Sequence, residues 1–128
     1  MFLTSSFMSV FISFINDWGK PFLFNEMDVV VARIKKAIET KESVLIFGDY
    51  DVDGIMSTYI LTTALREAGA DVDYAVPHRM IDGYGINPDM VQQAFEEGVS
   101  FIITCDNGIA ASPAIDLAKK LRMTFIVT

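Results

Sequence analysis

Asp49, Asp51 and Asp53 stand on alternate positions in the stretch SVLIFGDYDVDG, residues 43–54, directly after an apolar β-type run that breaks on Gly48. Two carboxylates about 4 Å apart repel by roughly 4 kcal/mol at an effective dielectric near 20, so three of them at the end of a buried strand imply a cation. A hard, oxygen-seeking divalent metal is the natural candidate. The bland alternative is a solvated Asp-rich turn, which an isolated Asp-x-Asp would leave standing. The same Asp-x-Asp-x-Asp-Gly pattern also opens the EF-hand calcium loop. That loop needs a bidentate Glu at its position 12, where this chain carries Ile60, and it follows a helix rather than the strand-like Val44, Leu45, Ile46 and Phe47. An EF-hand is therefore not expected.

A second acidic position occurs downstream. The apolar run SFIITC, residues 100–105, delivers Asp106-Asn107-Gly108 at its end. The elements between the two positions alternate. A helix is expected with Glu26 and Asp28 in its first turn, Met27, Val30, Val31, Ile34, Ala37 and Ile38 on one face, and Arg33, Lys35, Lys36 and Lys41 toward its end. After the first strand, residues 55–68 (IMSTYILTTALREA) are apolar enough for a helix buried along much of its surface, stopped by Gly69. Residues 71–76 read as a second strand closed by Pro77. Asn87-Pro88, an N-cap followed by Pro at the first helical position, opens a helix to about Glu97. Ser112-Pro113 opens another to about Arg122, and residues 123–128 (MTFIVT) form a fourth strand.

Strands alternating with such helices imply an α/β fold, an open parallel sheet with helices on both faces and right-handed crossovers. Ligands of such sheets bind beyond the carboxyl ends of the strands. Asp49 and Asp106 each follow the carboxyl end of an apolar strand, so both should reach one edge. That convergence favours a site over two unrelated turns.

The chain's 128 residues suit one ordinary domain, with 52% hydrophobic and 21% charged residues. A single cysteine, Cys105, excludes an internal disulfide framework and a cysteine zinc site; it fits a reducing compartment, and cytoplasmic localisation is expected. Residues 1–15 (MFLTSSFMSVFISFI) lack a basic leader and a cleavage signal, and they are too short to span a bilayer. We read 1–20 as an amino-terminal arm without membrane contact and 21–128 as the domain proper. The net charge of −7 argues against a generic nucleic-acid binder, although it permits an enzyme whose bound cations reverse the local field.

GDYDVDG after a buried strand, then PHRMIDGYG, then TCDNGI at the end of a later strand, together resemble the amino-terminal part of the DHH-family phosphoesterases. The likeness runs over about residues 21–128. Branches that cleave small substrates carry a His four positions before the second Asp of the first motif; here that position is Phe47, which points to the single-strand-specific DNA exonuclease branch. The resemblance implies that Asp51, Asp53 and Asp106 are catalytic metal-binding carboxylates, with Asp49 as their partner in metal binding. It implies two Mn²⁺ or Mg²⁺ ions in the complete enzyme, with Asp106 bridging them. The implied reaction is 5′ to 3′ hydrolysis of single-stranded DNA to 5′-mononucleotides, in DNA repair and recombination, with replication or repair proteins as further partners.

The name-giving Asp-His-His would begin where this chain ends, at Thr128. We therefore expect a fragment that is inactive alone. Substrate contacts are expected from Arg79, whose planar fork suits phosphate oxygens; from Tyr84, which could stack on a base; from Gly54, which allows close backbone approach; and more weakly from His78. Cys105 is expected to be an inert buried thiol. Rival readings are a small-substrate phosphodiesterase acting on oligoribonucleotides or cyclic dinucleotides, and a silent scaffold of the same fold.

Overall fold

A computed structural model describes residues 26–78 and 85–128. They fall in two compact units, 1–33 and 34–128. Of the first unit, residues 26–33 are described, and 27–33 form the opening half of helix α1 (Met27–Thr40). Glu26 lies before the helix at φ 64°, and its carbonyl accepts the Val30 N–H at 3.0 Å, so only Asp28 of the two expected acids sits in the first turn. The expected gathering of cations at the helix end is also corrected. The last turn holds no basic residue, and Lys41 comes just past it at φ 55°. The Lys41 ammonium instead bonds the Gly69 carbonyl at 2.8 Å, a partner that helix periodicity could not reveal. The boundary expected at residue 20 lies outside the described residues.

The second unit is built on β1 (Ser43–Phe47), α2 (Val52–Glu67), β2 (Asp71–Ala75), α3 (Pro88–Glu96), β3 (Phe101–Thr104), α4 (Ser112–Lys120) and β4 (Thr124–Val127). The strands form one parallel sheet in the order β2-β1-β3-β4. Side chains alternate across it as the strand period demands. Val44, Ile46, Phe101, Ile103 and Cys105 point to one face, where Ala37 of α1 and Leu65 of α2 close on them. Phe47 and Ile102 point to the other, against Val91 and Ala94 of α3 and Ala114 and Ala118 of α4. The open parallel sheet with helices on both faces is thus the observed architecture. One of its two central strands, β3, is buried throughout, which is why it reads as an unbroken apolar run.

Asn87 caps α3 as expected, its Oδ1 accepting the Met90 N–H at 3.0 Å. Helix α2 departs from expectation in two respects. It begins at Val52, three residues earlier than the apolar pattern suggested, because the Asp51 side chain caps it. It is also not buried along much of its surface. The inward face is Gly54, Thr58, Thr62 and Leu65, while Val52, Ile55, Met56, Tyr59 and Ile60 are exposed by half or more. Total apolarity misled here: at 3.6 residues per turn those five share the opposite face, and small hydroxyl residues let the helix lie close to the sheet. Among the described residues no helix is long and apolar enough to cross a membrane.

Candidate functional site

Strands β1 and β3 are neighbours running the same way, with Phe47 paired to Thr104, so the loops that follow them leave from one edge of the sheet. After Phe47 the chain turns through Gly48, whose N–H bonds the Ala75 carbonyl of β2 at 2.9 Å. Any β-carbon at Gly48 would collide with the Thr58 hydroxyl, and one at Gly54 would meet the Asp49 β-carbon at 2.6 Å. The acidic loop is therefore pressed directly onto the first turns of α2.

This packing buries Asp49, which is 1% exposed. Its Oδ1 accepts the Tyr50 N–H at 2.7 Å, while Oδ2 is buried with no hydrogen-bond partner among the described residues. An unsatisfied buried carboxylate oxygen is costly, so its presence at the rim of a sheet marks a position suited to a cation. Asp51 is exposed and turns Oδ1 back to accept the Gly54 N–H at 2.8 Å, occupying one of the helix N–H groups that face the rim. Asp53 stands exposed in the first turn of α2.

Asp106 follows β3 in the left-handed region at φ 59°, a conformation that Asp tolerates better than most residues. Gly108 follows at φ 100°, with Thr104 so near that a β-carbon would lie 2.8 Å from its hydroxyl; only glycine fits both constraints. The Asp106 carboxyl is held above its usual pKa, first by partial desolvation and then by the negative charges of Asp51, Asp53 and Asp49. Because the group is exposed, water screens these effects, but the charges that act on it are the three of the other loop. Acidic side chains from distant parts of the chain are therefore delivered to one edge of the sheet by neighbouring parallel strands. Among the described residues no three of His, Cys, Asp or Glu form a ready-made metal cage. Four like charges and a capping bond that turns Asp51 toward its own helix both work against such closure.

The model of the DHH family, N-terminal domain, matches residues 43–128. The chain belongs to the DHH family. This DHH-family chain is 40% identical over 112 residues to the single-stranded-DNA-specific exonuclease RecJ of Bacillus subtilis, a match covering 88% of the chain and 14% of that protein. It is 41% identical over 86 residues to the Escherichia coli RecJ, covering 66% of the chain and 15% of that protein. A crystal structure of exonuclease RecJ bound to manganese superposes with a TM-score of 0.71 at 32% identity, over 76% of the chain and 25% of the other. The Thermus thermophilus RecJ in complex with Mn²⁺ gives 0.63 at 26% identity, over 75% and 13%. The chain thus spans about one seventh of the length of the Bacillus relative it matches.

Of the remaining expected residues of this DHH-family chain, Gly54 is buried against Asp49. His78 is exposed just past the buried Pro77, beyond the carboxyl end of β2 and hence on the same edge. Arg79 and Tyr84 lie outside the described residues. Cys105 is buried, and burial raises its thiol pKa ahead of the lowering contacts with Thr128 and Ser57 and the raising charge of Asp106. This agrees with an inert thiol. A cavity of about 450 Å³ opens beside Asp106, lined by Gly85, Ile86, Asn107 and Thr128 among others. Sequence reasoning gave Asn107 no role, yet its amide ties the turn after β3 to the end of β1. Its position between an Asp and a Gly at a strand end was the available signal, though a turn asparagine reads the same way.

Proposed function

We propose that this chain is the metal-binding amino-terminal part of a phosphodiesterase that degrades single-stranded DNA from an end. The observation that carries the reading is the buried, unpartnered Asp49 Oδ2 in the loop after β1, at the same carboxyl edge of the sheet to which the parallel neighbour β3 delivers Asp106. The donor set is all carboxylate oxygen, which suits Mn²⁺ or Mg²⁺, and the buried unpartnered Asp49 Oδ2 fits such an ion. Asp51, Asp53 and Asp106 would hold the metal directly, with Asp49 as their partner. Bound there, divalent ions supply an activated water and neutralise charge on the phosphoryl group.

The chain's own contribution is preorganisation. Gly48 and Gly54 let the acidic loop lie tight on α2, so Asp49 and Asp53 are carried on packed backbone rather than on a free turn. The start of α2 directs backbone N–H groups toward the rim, where they would steady a phosphate oxygen, with Gly54 allowing close approach. Arg79 and His78 would contact the phosphate backbone and Tyr84 would stack on a base. The kinship with single-stranded-DNA-specific exonucleases supports DNA over a small substrate. Phe47 at the position that small-substrate branches fill with His supports the same choice.

The test is hydrolysis by the full-length protein that contains this chain, with Mn²⁺, on end-labelled long single-stranded DNA beside dinucleotides and cyclic dinucleotides. Release of 5′-mononucleotides from the long strand is expected. Faster cleavage of the dinucleotides would replace this reading with the small-substrate one. The isolated 128-residue chain is expected to bind Mn²⁺ weakly and to turn over nothing.

A further inference from the structure

Asn107 is 7% exposed, and its amide Nδ2 donates two hydrogen bonds: to the Phe47 carbonyl at 3.1 Å and to the Cys105 carbonyl at 2.9 Å. Phe47 is the last residue of β1, and its carbonyl also accepts the Cys105 N–H at 2.8 Å. Two carbonyls can only accept, so the side-chain orientation is not interchangeable: nitrogen must face them and Oδ1 must face away. That Oδ1 is buried without a hydrogen-bond partner among the described residues, in a side chain that lines the cavity beside Asp106. A β-carbon placed on Gly85, where the chain re-enters the described structure, would lie 4.0 Å from the Asn107 β-carbon.

We propose that Asn107 is a positioning residue of the carboxylate site: its amide clamps the end of β1 to the turn after β3, and so sets the spacing of Asp49 and Asp106. This rests on the metal-binding reading given above. Two residues beyond Phe47 stands Asp49, and directly before Asn107 stands Asp106, so the clamp joins backbone two residues from one carboxylate to the residue next to the other. Main-chain pairing between β1 and β3 ends at this point, and the side chain extends it by one bond where the two backbones diverge. Groups that orient metal-holding side chains typically change metal affinity by about tenfold or more when removed.

Asn107→Asp separates positioning from simple electrostatics. The substitution keeps the shape and adds a negative charge, which by field alone would tighten a cation. It also points an oxygen at two carbonyl oxygens, which opens the clamp. The measurement is Mn²⁺-induced broadening of amide signals in the 128-residue chain, titrated for wild type, N107D and the control Asn87→Ala. Asn87→Ala removes a capping bond elsewhere and lowers stability without touching the clamp. A midpoint shifted about tenfold to weaker binding in N107D, with N87A like wild type, is expected. N107D binding as tightly as wild type or more tightly overturns the proposal, as does equal weakening in N87A, which would reflect general softening. Should N107D not fold, the neutral Asn107→Ser is judged by the same tenfold criterion. Absence of site-specific broadening in wild type would instead overturn the metal-binding reading, and the positioning role with it.

Discussion

Gly54 lies so close to Asp49 that a β-carbon on the glycine would sit 2.6 Å from that of the aspartate and 2.7 Å from its carbonyl oxygen. The atoms it would meet belong to backbone and to the root of a buried side chain, so neither can swing aside. Gly54→Ala must therefore separate the acidic loop from α2. A loss of about 1–3 kcal/mol is expected in denaturant unfolding, with weaker Mn²⁺ binding than wild type. Wild-type stability in that variant would mean the contact is looser than the structure has it.

Asp51 has two separable jobs. As the α2 N-cap it accepts the Gly54 N–H at 2.8 Å, and as a carboxylate it contributes charge to the rim. Asparagine caps as well as aspartate, whereas alanine does not. Asp51→Asn should keep the melting temperature and lose much of the stabilisation that millimolar Mn²⁺ confers on wild type. Asp51→Ala should lose that and, in addition, about 0.5–2 kcal/mol of metal-free stability. A D51N variant stabilised by Mn²⁺ as fully as wild type would remove Asp51 from the metal-binding set.

The raised pKa of Asp106 gives a pH signature. A carboxyl whose folded pKa exceeds its unfolded value contributes stability that is full below the unfolded value, near 3.9, and lost as pH rises through the folded value. Metal-free wild type should therefore lose stability relative to Asp106→Asn as pH rises from about 3.5 to 7. Thermal melts of the two proteins across that range should converge at the acid end and diverge at neutrality, with the variant the more stable. A constant gap at all pH values would show that neither desolvation nor the charges of Asp51, Asp53 and Asp49 raise the Asp106 pKa.

The apolar stripe on α2 predicts a contrast between two isoleucines. Ile60 is 61% exposed and Ile102 is 0% exposed. Ile60→Ser should change unfolding stability by no more than about 0.5 kcal/mol while reducing the binding of hydrophobic dyes. Ile102→Ala should cost about 2–5 kcal/mol. A large loss for Ile60→Ser would place that side chain in a packed contact after all.

Much of this fold was legible because its signals are local. Four short apolar runs, the second and third followed by the helix punctuation Asn87-Pro88 and Ser112-Pro113, suffice for a parallel α/β sheet. The rule that ligands meet the carboxyl edge then joined Asp49 to Asp106 without coordinates. The orientation of α2 was not legible. Its more apolar face is the exposed one, and the face turned inward carries Thr58, whose hydroxyl lies against Gly48, a residue outside the helix.

By itself, the sequence determined the strand and helix order, the parallel sheet and the four carboxylates, since period, capping residues and charge are properties of neighbouring positions. Tertiary structure alone decided that Asp49 is buried with one oxygen unpartnered, that Asp51 caps α2, and that Asn107 ties Phe47 to the turn carrying Asp106. Each of these depends on where remote backbone atoms come to rest. A hydrogen bond or a steric contact acts over a few ångströms of space, whatever the distance along the chain.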